Sequence, residues 1–126
     1  MGGTQSNATV IASLLRPHQG VLAADSGHIN VHETGAIEAT AHKVCPILSP
    51  SSKLTPELVH TVCGEHSGEL MVRPKMVYIS NPTEYGTIYT KAELTEMYNI
   101  CRKHGLPLFI DGARLGYGLT ANGNDV

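Results

Sequence analysis

The sequence predicts an α/β fold with a largely parallel sheet, and three observations predict it. Helical and strand-like segments alternate along the chain, the rhythm of parallel strands joined by helices. The strand-like segments are short, unbroken apolar runs rather than alternating ones, which suits strands covered on both faces. The chain has 126 residues, 41% of them hydrophobic, with no internal repeat, low-complexity tract or dividing linker, so it is one globular domain or part of one.

The elements follow in order. The first helix starts at Thr4, placed to cap it, with Ala8, Ile11, Ala12 and Leu15 facing inward and Pro17 closing it. A strand is expected over 21–24, a short helix over 34–41 and a second strand over 44–48. Thr55 as N-cap and Pro56 at the first helical position open the next helix. Leu58, Val59, Val62 and Cys63 form its apolar side and Gly64 ends it. A third strand covers 76–80. The clearest helix is Lys91–His104: Leu94, Met97, Tyr98 and Cys101 fall on one face at helical spacing, Thr90 and Glu93 form a T-x-x-E capping box, and Gly105 and Pro107 stop it. The last strand covers 106–110.

Charge and composition exclude several functions. Nine basic and eleven acidic residues give a net charge of −2, leaving no electrostatic footprint for nucleic acid and no polybasic patch for a membrane surface. No apolar run is long enough to span a bilayer, and MGGTQSN lacks the features of a signal peptide. Cys45, Cys63 and Cys101 are odd in number and lack CxxC spacing, so a disulfide scaffold is not expected and a reducing, cytoplasmic compartment is. Asn7-Ala8-Thr9 has the form of a glycosylation sequon, taken as chance without a secretory signal.

Polar residues gather where the strands end: Asp25 and His28 after the first, Asn81, Thr83 and Glu84 after the third, Asp111 and Arg114 after the fourth. In open α/β sheets ligands bind beyond the carboxyl ends of the strands, so these groups are expected on one rim. Gly2-Gly3-Thr4 before a helix is either an ordinary helix start or a loop whose backbone N–H groups and helix dipole meet a phosphate. It is neither a P-loop nor GxGxxG. The segment 106–114 delivers Asp111 to a strand end. A mostly buried carboxylate is costly unless a cation or several donors meet it, and the candidates are Arg114 or the protonated ring nitrogen of a cofactor. His28, after a strand and a glycine, is either an ordinary satisfied histidine or a stacking surface and proton carrier over the site. His32, Glu33 and His42 lie near it, but the run is not HExxH and no metal is expected. GxSxG is absent and the cysteines lie in apolar segments, where they pack rather than react.

Four blocks in order, GGTQSN, ADSGHINVHETGAIEATAHKV, YISNPTEYGTIYTKAEL and LPLFIDGARLGYGL, resemble the threonine aldolase and β-eliminating lyase family, enzymes that use pyridoxal 5'-phosphate on the aspartate aminotransferase fold. The resemblance implies an incomplete three-layer αβα sandwich of fold type I, with 1–126 forming part of the cofactor-binding large domain. It implies that Gly3 and Thr4 hold the cofactor phosphate, that His28 stacks on the pyridine ring and takes part in catalysis, and that Asp111 pairs with the ring nitrogen. Arg114 is then expected to bind the substrate carboxylate. Asn81-Pro82-Thr83 resembles the aminotransferase NPT stretch, whose asparagine approaches the cofactor's phenolic oxygen.

Two departures accompany the resemblance. The family's cofactor-bearing lysine follows DGAR at a distance this chain does not reach; that segment and the small C-terminal domain are expected outside it. Glu84 stands where threonine aldolases tend to carry a histidine. The implied reaction is cleavage of a β-hydroxy amino acid to glycine and an aldehyde, by a homodimer or homotetramer at full length, with the present chain alone inactive. An aminotransferase or another β-eliminating lyase of the same fold, or a non-catalytic relative, stays open on these residues.

Overall fold

The computed structural model describes residues 2–121 and 123. Its elements are α1 (Gly3–Leu14), β1 (Gln19–Ala24), α2 (His28–Val31), β2 (Lys43–Ile47), α3 (Pro56–Glu65), β3 (Arg73–Ser80), α4 (Lys91–His104), β4 (Leu108–Asp111) and α5 (Leu115–Ala121). The four strands form one sheet in the order β2-β1-β3-β4, every neighbouring pair parallel. Each strand therefore ends at the same edge, which places the polar residues that follow them together.

Two apolar clusters make this a three-layer αβα sandwich. On one face Ile11 and Leu15, from α1 and the residue that caps it, pack with Ile29 and Ile37 over Val21, Ala23, Val44, Met76 and Tyr78. On the other, Val59 of α3 and Met97 and Cys101 of α4 pack over Leu22, Cys45, Ile47, Val77 and Ile79. The alternate residues of each strand thus serve opposite faces. The expectation of strands covered on both faces holds for β1 and β3. It fails for β2, where Lys43 and Pro46 are exposed, and for β4, where Ile110 is 40% exposed. These are the two edge strands, and an edge lacks the neighbouring layer that would cover it.

Helix chemistry is as expected at α4. Thr90 and Glu93 make the reciprocal capping box, Gly105 takes the left-handed conformation at φ 64°, and the box contributes about 1 kcal/mol. Tyr98 departs from its expected face: it is 51% exposed, because Met97 and Cys101 already fill the seam against the sheet.

Five further expectations need correction. Thr4 does not cap α1: Gly2 is the N-cap, with no side-chain cap, and Thr4 lies in the first turn. Ala12 is exposed and Asn7 takes the inward place one turn before Ile11. The helix expected over 34–41 is a single 3₁₀ turn at Glu38–Thr40, since Thr34 and Gly35 at φ 50° and 76° break the chain before it and Ala41 at φ 67° ends it. Gly64 is inside α3, which runs on to Glu65. The last strand is shifted along the chain, so that Asp111 is its final residue rather than the residue after it. The helices α2 and α5 lack the length for an apolar periodicity to show in sequence. No helix among the described residues is long and apolar enough to cross a membrane.

Candidate active site

Gly27 turns the chain sharply after β1. A Cβ there would lie 2.9 Å from the Ala24 carbonyl oxygen, so only glycine allows the fold-back that starts α2 and brings His28 to the sheet edge. The first turn of α1 arrives at the same edge, as do the ends of β3 and β4. Gly3, Asn7, His28, Ser80, Glu84, Asp111, Ala113 and Arg114 line one cavity of about 70 Å³. Complete small-ligand pockets run to roughly 300–1,000 Å³, so these residues form one wall of a site. Larger hollows of about 360 and 430 Å³ lie elsewhere; the first, beside Arg73, Lys75 and His104, includes the opposite end of β3. Chemistry singles out the small one, because it alone joins a histidine, an arginine and carboxylates at the carboxyl ends of parallel strands.

Asp111 is the best-determined group of this wall. Its Oδ2 accepts from the Tyr78 hydroxyl at 2.7 Å and from Asn7 Nδ2 at 3.1 Å, and its Oδ1 accepts from the Ala113 N–H at 3.0 Å. Burial pushes the Asp111 carboxyl up, but the hydrogen bonds from Tyr78, Asn7 and Ala113 and the nearby His28 outweigh it, and the carboxyl is held below its usual value. Burial pushes the Tyr78 hydroxyl far above its ordinary value, so it stays a donor. Asp111 is thus kept as an anion by neutral donors. Arg114 is not the partner it could have been: its guanidinium lies 3.9 Å from Glu84 Oε1. Glu84 in turn accepts from Ser80 Oγ at 2.8 Å.

The depressed carboxyl gives a pH prediction. A group whose folded value is lowered stabilises the fold above its unfolded value, about 3.9, and loses that contribution as pH falls through the folded value. The stability difference between the full-length protein and its Asp111→Asn variant should therefore shrink as pH drops below about 4. Urea midpoints at a series of pH values check it, and a difference that stays constant contradicts it.

His28 is partly exposed, its side chain at 34%, and its Nδ1 lies 2.9 Å from Glu33 Oε1. The structure therefore brings Gly3, His28, Asp111 and Arg114 to one wall, while Thr4 lies beside it on α1 without lining the cavity. Three residues of the expected rim are used otherwise. Asp25 Oδ1 accepts from the Ser49 N–H, Asn81 Oδ1 from the Tyr89 N–H, and Thr83 bonds Thr87 across a turn. Asn81, 1% exposed, does not line the cavity. Asn7, Glu33, Tyr78 and Ser80 were not singled out as site residues by sequence. Asn7 carried a usable signal, a polar side chain on the inward face of α1, and at 3% exposure it is no glycosylation site in the fold. The cysteines have thiols raised by burial, Cys101 to about 11, so they are not reactive thiolates.

A family model described as β-eliminating lyase matches residues 1–125. The chain belongs to the β-eliminating lyase family. A low-specificity L-threonine aldolase of a Pseudomonas species is 31% identical over 114 residues, which are 89% of this chain and 33% of that protein. The solved threonine aldolase of Leishmania major superposes with a TM-score of 0.93 at 50% identity, covering 94% of this chain and 35% of that one. A pyridoxal-phosphate-bound C–S lyase from Staphylococcus hominis, at 13% identity and TM-score 0.68 over 88% of this chain and 28% of that one, shares the fold. The fold is therefore that of the type I pyridoxal-phosphate enzymes, and the chain spans about a third of the length of the relatives it matches. Membership of the family implies pyridoxal phosphate as the cofactor.

Proposed function

We propose that this chain is part of the large domain of a pyridoxal-phosphate-dependent lyase that, at full length, cleaves a β-hydroxy amino acid such as threonine to glycine and an aldehyde. The state of Asp111 carries the reading. A half-buried carboxylate kept ionised by neutral donors, and facing a cavity rather than its own arginine, suits a protonated ring nitrogen. The donor set fits in its other parts too. Gly3, where a Cβ would meet nothing within 4 Å, opens α1 at the cavity and offers backbone N–H groups to a phosphate, with the Thr4 hydroxyl beside it. The His28 imidazole has the place and shape to stack over a flat ring.

When bound, pyridoxal phosphate supplies the electron sink for the pair released as a bond to the amino acid's Cα breaks. The chain's own residues do the rest. Asp111 keeps the ring nitrogen protonated by stabilising its positive charge. Arg114, 47% exposed and only loosely associated with Glu84, is free to turn a guanidinium to the substrate carboxylate. His28 offers a ring nitrogen for proton transfer at the cavity. Three unpaired cysteines fit a cytoplasmic protein. Ile110, Leu115 and Tyr117, exposed by 40%, 40% and 81%, leave apolar surface for the rest of a subunit or a partner copy in a homodimer or homotetramer.

The test is product analysis with purified full-length protein. Acetaldehyde and glycine from L-threonine, together with an absorbance band from bound pyridoxal phosphate, are the expected result. Keto-acid formation would move the protein to the aminotransferases, a second reading that Glu84 favours because it stands in the cavity wall where the aldolases tend to carry histidine. A protein with no cofactor band would overturn both.

A further inference from the structure

Glu33 is a buried acid that the reaction just described does not use. Its side chain is 0% exposed. Its Oε1 meets both His28 Nδ1 at 2.9 Å and Asn7 Nδ2 at 2.7 Å, while among the described residues its Oε2 has no hydrogen-bond partner. A carboxylate withdrawn from water persists only if something compensates it. Here all the compensation falls on one oxygen, from an amide N–H and from the imidazole. Asn7 links this pair to the rest of the wall, because the same Nδ2 also donates to Asp111 Oδ2 at 3.1 Å, so its two amide hydrogens go to two different carboxylates.

We infer that Glu33 is the positioning residue of His28: it holds the imidazole proton on Nδ1 and leaves Nε2 as the ring nitrogen able to accept a proton at the site. In a neutral imidazole one nitrogen donates and the other accepts, and the hydrogen bond made by one decides the role of the other. An anionic Glu33 can only accept, so Nδ1 must carry the hydrogen. Through Asn7 the same contact sets the spacing of His28 and Asp111, tying α1, α2 and β4 into one network across residues far apart in sequence. The use made of Nε2 rests on the proposed lyase reading, whereas the tautomer is a property of the protein alone.

The experiment is ¹⁵N NMR of the histidine rings in full-length holoenzyme, with the His28 signal identified by its loss in His28→Asn. The expected result is a protonated Nδ1 and an unprotonated Nε2 at neutral pH. Glu33→Gln should reverse or mix the two, since an amide N–H can donate to Nδ1. It should also lower kcat by about tenfold or more, a tautomer effect, with KM changed by less than about threefold. Glu33→Asp should restore the Nδ1–H signature. A wild-type ring protonated on Nε2 alone overturns the inference without any variant, and so does a Glu33→Gln protein whose tautomer and kcat match the parent. If Glu33→Gln fails to fold, the wild-type signal still decides. A protein with the expected tautomer but no cofactor band would sink the lyase reading and leave this one standing.

Discussion

Replacing Asp111 by asparagine in the full-length protein is expected to lower turnover by about 30-fold to several-thousand-fold and to weaken cofactor binding, while the fold survives. The magnitude follows from removing one member of a desolvated, hydrogen-bonded charge pair, which costs about 2–5 kcal/mol, at 1.36 kcal/mol for each tenfold. The direction follows from the geometry. Tyr78 and Asn7 both donate to Oδ2 and the Ala113 N–H donates to Oδ1. The asparagine has the same shape but only one acceptor oxygen, so at least one of these donors would face an amide N–H. The variant also removes the anion that, on the proposed reading, keeps the cofactor nitrogen charged. Steady-state kinetics with L-threonine and spectral titration with pyridoxal phosphate check it. A variant within about threefold of the parent in both would show that Asp111 is a structural residue of the wall.

How much of this was legible in the sequence differs by element. The sheet and the three longer helices, α1, α3 and α4, were readable because they are written in local patterns: the apolar runs that become β1 and β3, the helical spacing of Met97 and Cys101, and the Thr90–Glu93 box. Polar residues at strand ends point to the rim from the sequence alone, since all-parallel strands must end together. What stayed hidden was tertiary. Nothing local distinguishes Asn81, held by Tyr89, from a residue that faces a ligand. Tyr78 lies in an apolar run, and its hydroxyl matters only because β4 pairs beside β3 in the register that sets Ser80 against Asp111. Glu33 reads as a loop acid, and only the meeting of α1 with α2 shows it buried beneath His28. The sequence offers two partners for Asp111, and in the fold one is taken away because Arg114 lies against Glu84.

That placement supports the second large effect. Arg114→Ala in the full-length protein is expected to raise KM for the amino acid by about 10- to 150-fold, the loss of a charge-assisted hydrogen bond worth about 1.5–3 kcal/mol. The cofactor absorbance band should be kept. The split arises because Arg114 is not among the groups that hold Asp111, so removing it leaves the anion and its three donors in place. The range sits below that for Asp111 because the Arg114 side chain is 47% exposed and solvent screens it. Glu84 sharpens the test. Its side chain is 8% exposed, and with Arg114 gone its hydrogen-bond partner among the described residues is the Ser80 hydroxyl, so an uncompensated carboxylate would face the incoming substrate carboxylate and repel it. The double variant Arg114→Ala with Glu84→Gln should therefore recover part of the lost affinity. Kinetics on the two single variants and the double variant measure this coupling directly. If Glu84→Gln gives no recovery and Arg114→Ala lowers kcat at unchanged KM, the guanidinium does not bind the substrate carboxylate, and the pair it forms with Glu84 has a structural purpose instead.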